Sequence, residues 1–171
     1  MMNKPFSTPI TQYLEKHNIA YQLLPHKTAT TTIEETAHQR GILACQMVKT
    51  ILLRDMGDRL ALACTPGDCS VDPKKVRQVL EWRRMTCVDR AQVEYFTGYS
   101  VGTVTPLCLK TAMPILFDHA ILQHSTVTIS SGSPFAGIAL SVQDLVQLCQ
   151  PMFAHIQRTV VENNVIDNKT S

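Results

Sequence analysis

Apolar and polar positions along the chain follow two periods, and the switches between them mark the elements. Ile10, Tyr13 and Leu14 fall on one face of a helix, with Thr8 as its cap, Pro9 at its first position and Asn18 as its stop. Tyr21 to Leu24 reads as a short strand ended by Pro25. Thr32-Ile33-Glu34-Glu35 is a capping box, which predicts a helix to Arg40 with Gly41 left-handed after it. Gln46 to Arg54 is β-rich, Asp55-Met56-Gly57-Asp58 is a turn, and Arg59 to Thr65 returns, so a hairpin is expected.

The second half continues the alternation. Pro66-Gly67 turns the chain. Asp72 and Pro73 then start a helix whose buried stripe is Val76, Val79 and Leu80. Met85 to Val88 is a strand, and Asp89 is expected to cap a helix running through Phe96 and ended by Gly98. Strands are expected at Pro114–Phe117, Val127–Ser130 and Ile138–Leu140, before a last helix opened by Ser141 with Asp144 as its box partner. Strand pairs mixed with helices predict an α+β fold: a mixed, largely antiparallel central sheet, partly barrel-like, flanked by helices. One domain is expected over residues 1–159, followed by a polar, frayed tail at 160–171.

Composition narrows the function. Of 171 residues, 44% are hydrophobic and 18% charged, as in ordinary globular chains, and this excludes disorder as the main state. The net charge of +2 is small for a protein that coats duplex nucleic acid, but it allows contact with a short stretch of phosphates. Lys74, Lys75, Arg77, Arg83, Arg84 and Arg90 form the densest basic stretch, either a solvated face or a phosphate-holding one. The start lacks an apolar leader core, and residues 120–143, though uncharged, are broken by polar residues, Gly132 and Pro134. No membrane association and a cytoplasmic location are expected. None of the six cysteines forms a C-x-x-C pair, so reduced and mostly buried thiols are expected. The histidines lack metal-site spacing, and no Walker loop, dinucleotide fingerprint or serine elbow occurs, so neither a metal nor an organic cofactor is implied.

Lys49 is the oddest residue. Period-two alternation places it on the face of Met47, Ile51 and Leu53. A lysine there either meets an anion or a polar cavity, or snorkels to water along its own stem. Two glycine-bearing loops offer backbone donors: Thr97 to Pro106, where amides near Gly102 and Thr103 suit an anion or oxyanion, and Ser130-Ser131-Gly132-Ser133-Pro134. For the first loop a plain structural turn is the favoured reading, and for the second a hairpin connection serves equally well.

Taken together these features resemble the YbaK / prolyl-tRNA synthetase-associated domain family of aminoacyl-tRNA editing deacylases, over about Thr8 to Gln150. Gln46-Met47-Val48-Lys49-Thr50 resembles the family's lysine-bearing strand, and Thr97-Gly98-Tyr99 with Gly102 to Pro106 its glycine-proline loop. Ile129-Ser130-Ser131-Gly132 is similar to its serine/glycine segment, and Gln143-Asp144-Leu145 to the start of its final helix. The resemblance implies hydrolysis of a wrongly attached amino acid, cysteine or alanine, from the acceptor end of tRNA-Pro, with prolyl-tRNA synthetase as a candidate partner. It implies that Lys49 holds the terminal phosphate or polarises the ester, and that Gly102 and Thr103 give amides near the carbonyl. Pro106 would stiffen their loop, Ser130, Ser131 and Gly132 would contact the ribose or α-amino group, and Tyr21 would form an aromatic wall. Two departures stand out: Ser133-Pro134-Phe135-Ala136 precedes Gly137, and Cys108 replaces a common glycine. The alternatives are a non-catalytic module that binds aminoacyl-tRNA, a nucleotide or a synthetase, and a thiol-based redox protein. The oligomeric state is open.

Overall fold

The computed structural model describes residues 5–30 and 32–159. The expected tail at 160–171 lies outside the described residues. Helix α1 (Pro9–Lys16) starts where Thr8 and Thr11 cap each other reciprocally, and it buries Ile10 and Leu14 completely. Strand β1 (Tyr21–Pro25) follows, then α2 (Ile33–Arg40), capped by the Thr32 hydroxyl and ended by Gly41 at φ +69°. Strands β2 (Val48–Asp55) and β3 (Leu60–Pro66) form the expected hairpin, in register from Val48↔Pro66 to Arg54↔Leu60. Asp55 closes its turn by accepting from the amides of Gly57 (2.9 Å) and Arg59 (2.8 Å).

The remaining elements are α3 (Pro73–Leu80), β4 (Met85–Cys87), α4 (Arg90–Thr97), β5 (Ile115–Asp118), β6 (Thr126–Ser130), β7 (Ala136–Ser141), α5 (Val142–Cys149) and β8 (Met152–Ala154). They build two sheets, β1-β7-β6 and β4-β2-β3-β5-β8. The first sheet and the β4-β2-β3 part of the second are antiparallel, while β5 runs parallel to β3 and β8 parallel to β5. The α+β expectation holds, but the sheets do not close into a barrel. They touch through a single parallel bridge, Met47↔Thr128, and diverge beyond it. β3 lies mid-sheet and is almost wholly buried, which explains its unbroken small and apolar run. Ile10, Phe117, Ile129, Ile138 and Leu145 fill the space between α1, α5 and the sheets, and each such side chain contributes about 1.5–3 kcal/mol on burial.

Four expectations need correction. Gln46 belongs to a 3-10 turn, Ala44–Gln46, not to the strand, because its side chain accepts from the Leu43 amide and tightens the turn locally. The Asp89 side chain makes no capping bond to α4 and stays exposed. β8 was not foreseen: three residues after a proline carry no local signal, and only the edge of β5 makes them a strand. Of the cysteines only Cys64 is fully buried, while Cys87 and Cys108 are exposed.

Candidate functional site

The divergence of the two sheets opens a cleft of about 640 Å³. Its floor is the edge of β2. β4 pairs only with residues 53–55, and the Val88 amide donates to the Leu52 carbonyl at 3.0 Å. Backbone polarity alternates along a strand, so the N–H and C=O of Thr50 also point away from β3, and here they face the cleft instead of a strand. Ser130 of β6 forms the opposite wall. Val101, Gly102 and Val104 close one end, Cys87, Val88, Arg90 and Val93 another, and Thr30, Thr32, Thr36 and Arg40 a third. Among the described residues the charged groups of the lining are Lys49, Arg40 and Arg90, and no aspartate, glutamate or histidine lines it. The cleft therefore suits an electron-rich or anionic ligand.

The structure brings three expected site residues together: Lys49, Gly102 and Ser130 all line this cleft. Lys49 is half-buried, and its ammonium donates to the Cys69 carbonyl at 3.1 Å, so one of its three donors is already engaged. Gly102 sits at φ +88° on an exposed bend with nothing within 4 Å of where a Cβ would stand, so conformation alone demands glycine there. The Thr103 amide donates to the Ser100 carbonyl at 3.0 Å and its hydroxyl to the same carbonyl at 2.9 Å, so both are engaged within the loop, whereas the Gly102 amide makes no hydrogen bond among the described residues. The Ser130 hydroxyl accepts from the Gly132 amide at 3.1 Å.

The other expected residues stand outside the lining. Ser131 is fully buried and donates to the Ala136 carbonyl at 2.6 Å, tying its own loop together. Gly132, at φ +87°, lies against the ring of Tyr99, 3.4 Å from where its Cβ would be, and so joins the two glycine-bearing loops. Pro106 is buried, with its carbonyl facing the Cys149 thiol. Tyr21 packs with Leu23 on the α1 side, and its hydroxyl donates to Glu15 at 2.7 Å. Strand alternation turns it away from the cleft.

One residue that the sequence did not single out as functional, Arg40, lines the cleft, and His26 is bonded to it. Arg40 ends α2 and reaches inward. Its Nε donates to His26 Nε2 at 3.1 Å and its Nη1 to the Thr128 hydroxyl at 2.9 Å. Burial pushes its pKa down to about 10, so it stays charged at neutral pH. Burial, with Arg40 as a further cause, pushes His26 below 6.5 against an opposing bond to the Pro134 carbonyl. The unfolded chain therefore takes up this proton first as the pH falls. The associated stability is full above about 6.5 and drains away through the lower folded value. Arg40 is the charged group bonded to His26; the β6–β7 loop presents it only the Pro134 and Phe135 carbonyls. Thermal melts at pH 7 and pH 5 should show a larger loss for the wild type than for His26→Asn.

Thiol chemistry finds no support in Cys64, Cys69, Cys108 or Cys149, whose thiol pKa values are all raised, that of Cys108 by partial desolvation although it is exposed. Burial pushes Cys64 up to about 12, burial and the neighbouring Asp68 push Cys69 up to about 11, and burial raises Cys108 and Cys149 as well. No group of three or more His, Cys, Asp or Glu side chains that could hold a metal occurs among the described residues.

Comparison with known proteins bears on the family and the fold. A family model described as an aminoacyl-tRNA editing domain matches residues 27–148. The uncharacterized protein YwhH of Bacillus subtilis is 26% identical over 145 residues, covering 85% of this chain and 89% of YwhH. EbsC of Enterococcus faecalis, named as a candidate Cys-tRNA(Pro)/Cys-tRNA(Cys) deacylase, is 22% identical over 151 residues, 87% of this chain and 92% of EbsC. A solved structure described as a candidate trans-editing enzyme for prolyl tRNA synthetase shares the fold with a TM-score of 0.77 at 20% identity, over 90% of this chain and 100% of that one.

Proposed function

Because the chain belongs to the aminoacyl-tRNA editing domain family, we propose that it hydrolyses the ester joining a wrongly attached amino acid to the terminal ribose of a tRNA. The observation that carries the reading is the meeting of Lys49, Gly102 and Ser130, from three distant segments, in one cleft whose charged groups are all cations. Ester hydrolysis builds negative charge on the carbonyl oxygen, and donors already in place stabilise it without reorganising. Gly102 supplies a backbone amide, Lys49 a positive charge with two free N–H groups, and Ser130 a hydroxyl for the ribose. With no histidine or carboxylate in the lining, the nucleophile is a water or a hydroxyl of the substrate, positioned rather than strongly activated.

The substrate we infer is cysteine or alanine on tRNA-Pro. The apolar side chains of Leu52, Val88, Val93 and Val104 leave room for a small amino acid and offer no charged partner to a larger polar one. The name carried by EbsC points to the same class for that relative. Prolyl-tRNA synthetase is the partner proposed, and cytoplasm the location. No helix among the described residues is long and apolar enough to cross a membrane.

The test is a panel of Cys-, Ala-, Ser- and Pro-charged tRNA-Pro. Cysteine or alanine release should exceed the buffer rate by orders of magnitude, with Pro-tRNA spared. The lack of an acid or base in the lining also favours a second reading, a binding module without turnover. Saturable, salt-sensitive tRNA binding with every ester decaying at the buffer rate would select it.

A further inference from the structure

We propose that Arg40 is the phosphate-binding residue of the cleft, so that the site accepts amino-acid esters carried on a nucleic-acid end and passes over the same esters without a phosphate. The inference rests on the deacylase reading and adds to it the part of the substrate that is recognised.

Arg40 is placed with unusual care for a residue that does not pair with an acid. α2 ends at Arg40, and the left-handed Gly41 turns the backbone away while the side chain continues inward across β7. It lies directly over Gly137. A Cβ there would sit 2.2 Å from Nε, 2.4 Å from Cζ and 2.7 Å from Nη2, so only glycine admits the guanidinium. An arginine cannot accept a hydrogen bond. His26 Nε2 must therefore be the acceptor, and its proton sits on Nδ1, which donates to the Pro134 carbonyl at 2.8 Å. The other partner, Thr128, is a neutral hydroxyl.

The two ion pairs among the described residues are Arg54–Asp58 and Arg59–Asp55, so neither neutralises Arg40. A partly buried cation is thus held by two neutral acceptors, with three of its five N–H groups unpaired among the described residues, and it lines the cleft. Its planar fork matches the oxygens of a phosphate. The amino-acid part of the substrate cannot be the anion it awaits. Once esterified, the carboxyl carries no charge, and the α-amino group is neutral or positive. The nearest anion to the ester is the phosphodiester that joins the terminal nucleotide to the one before it.

The experiment compares wild type, Arg40→Gln, Gly137→Ala and the double variant on two substrates, charged tRNA and the same amino acid esterified to adenosine. Gly137→Ala leaves every donor in the sequence and removes only the space that Arg40 occupies. Each single change should lower kcat/KM on charged tRNA roughly 10- to 100-fold, the loss of a charge-assisted hydrogen bond. The adenosine ester should change less than about 2-fold, and the double variant should be no worse than the worse single one. In parallel, binding of an uncharged RNA hairpin ending in CCA should weaken, with its salt slope reduced by about 0.7. Equal losses on both esters, unchanged activity on both, or multiplying losses in the double variant would mean that Arg40 is only a strut between α2 and β6. If the wild type cleaves neither ester, the deacylase reading fails and the hairpin decides: unchanged affinity and slope in both single variants overturns the proposal. Should Arg40→Gln not fold, Gly137→Ala with Arg40→Lys carries the same comparison.

Discussion

Lys49→Ala is expected to lower kcat on charged tRNA by at least about 100-fold, the usual cost of losing one preorganised group that meets developing negative charge. The same change should move the melting temperature by only a few degrees. The ammonium gives up one bond, to the Cys69 carbonyl, and that carbonyl keeps the Thr65 hydroxyl at 3.4 Å as a donor. Losing a hydrogen bond whose acceptor stays satisfied costs about 1 kcal/mol or less. Lys49→Arg should recover part of the activity if charge alone matters. It should recover little if the group must be compact, because the planar guanidinium cannot repeat the ammonium's geometry beside β3. Single-turnover hydrolysis with melts on the same samples makes the comparison. Activity within 3-fold of wild type would remove Lys49 from the mechanism, and a collapse of the fold would make it a structural residue.

Asp118→Ala is expected to be the most destabilising single change among the residues discussed, about 3–5 kcal/mol, with the melting temperature lowered by about 10 °C. Asp118 is completely buried at the end of β5. One oxygen accepts from the Ala120 amide at 2.9 Å and the Gln157 side chain at 3.3 Å, the other from the amides of Ile156 (2.8 Å) and Gln157 (3.1 Å). Alanine leaves these donors without a partner, and Ile156 has no access to water. Asparagine should cost roughly half as much, since it keeps one acceptor oxygen and sets an N–H₂ against the remaining donors. The effect should reach the cleft. The Ile156 carbonyl accepts from the Asp72 amide at 2.7 Å, and the Ser70 carbonyl accepts from the Arg158 amide at 2.7 Å, so Asp118 anchors the segment after β8 that braces the 69–72 loop. That loop holds the acceptor of Lys49. A melt and a kcat measurement on Asp118→Asn test both statements. Normal stability would show that the amides find other partners.

Much of the site was legible because its signals are local. Lys49 stood out as a cation in a β run, and Gly102 as a glycine that permits close backbone approach in a loop without regular structure. Ser130 stood at the end of an apolar strand, two residues before a glycine. Arg40 had no such visibility. In the capping-box helix it reads as an ordinary basic residue in the last turn. Its partners His26 and Thr128 are 14 and 88 residues away, and the space it needs depends on Gly137. Thr103 and Ser131 show the opposite error. Each has a site-like residue type in a site-like loop, yet the loop consumes their polar groups internally. Tyr21 missed the cleft because the side a strand turns toward a ligand is decided by which sheet it joins.

The sequence by itself determined where most helices and strands lie, since caps, left-handed glycines, prolines and hydrophobic periods act over a few residues. It also determined the β2–β3 hairpin, whose turn is closed by its own aspartate. Tertiary structure alone decided that the sheets part after one bridge, that β8 adds to β5, and that the uncovered edge of β2 becomes the floor of a cleft. The physical reason is range. Backbone torsions and caps are set by neighbours in the chain. A cleft is set by which distant surfaces fail to meet, and that depends on the packing of every element around it.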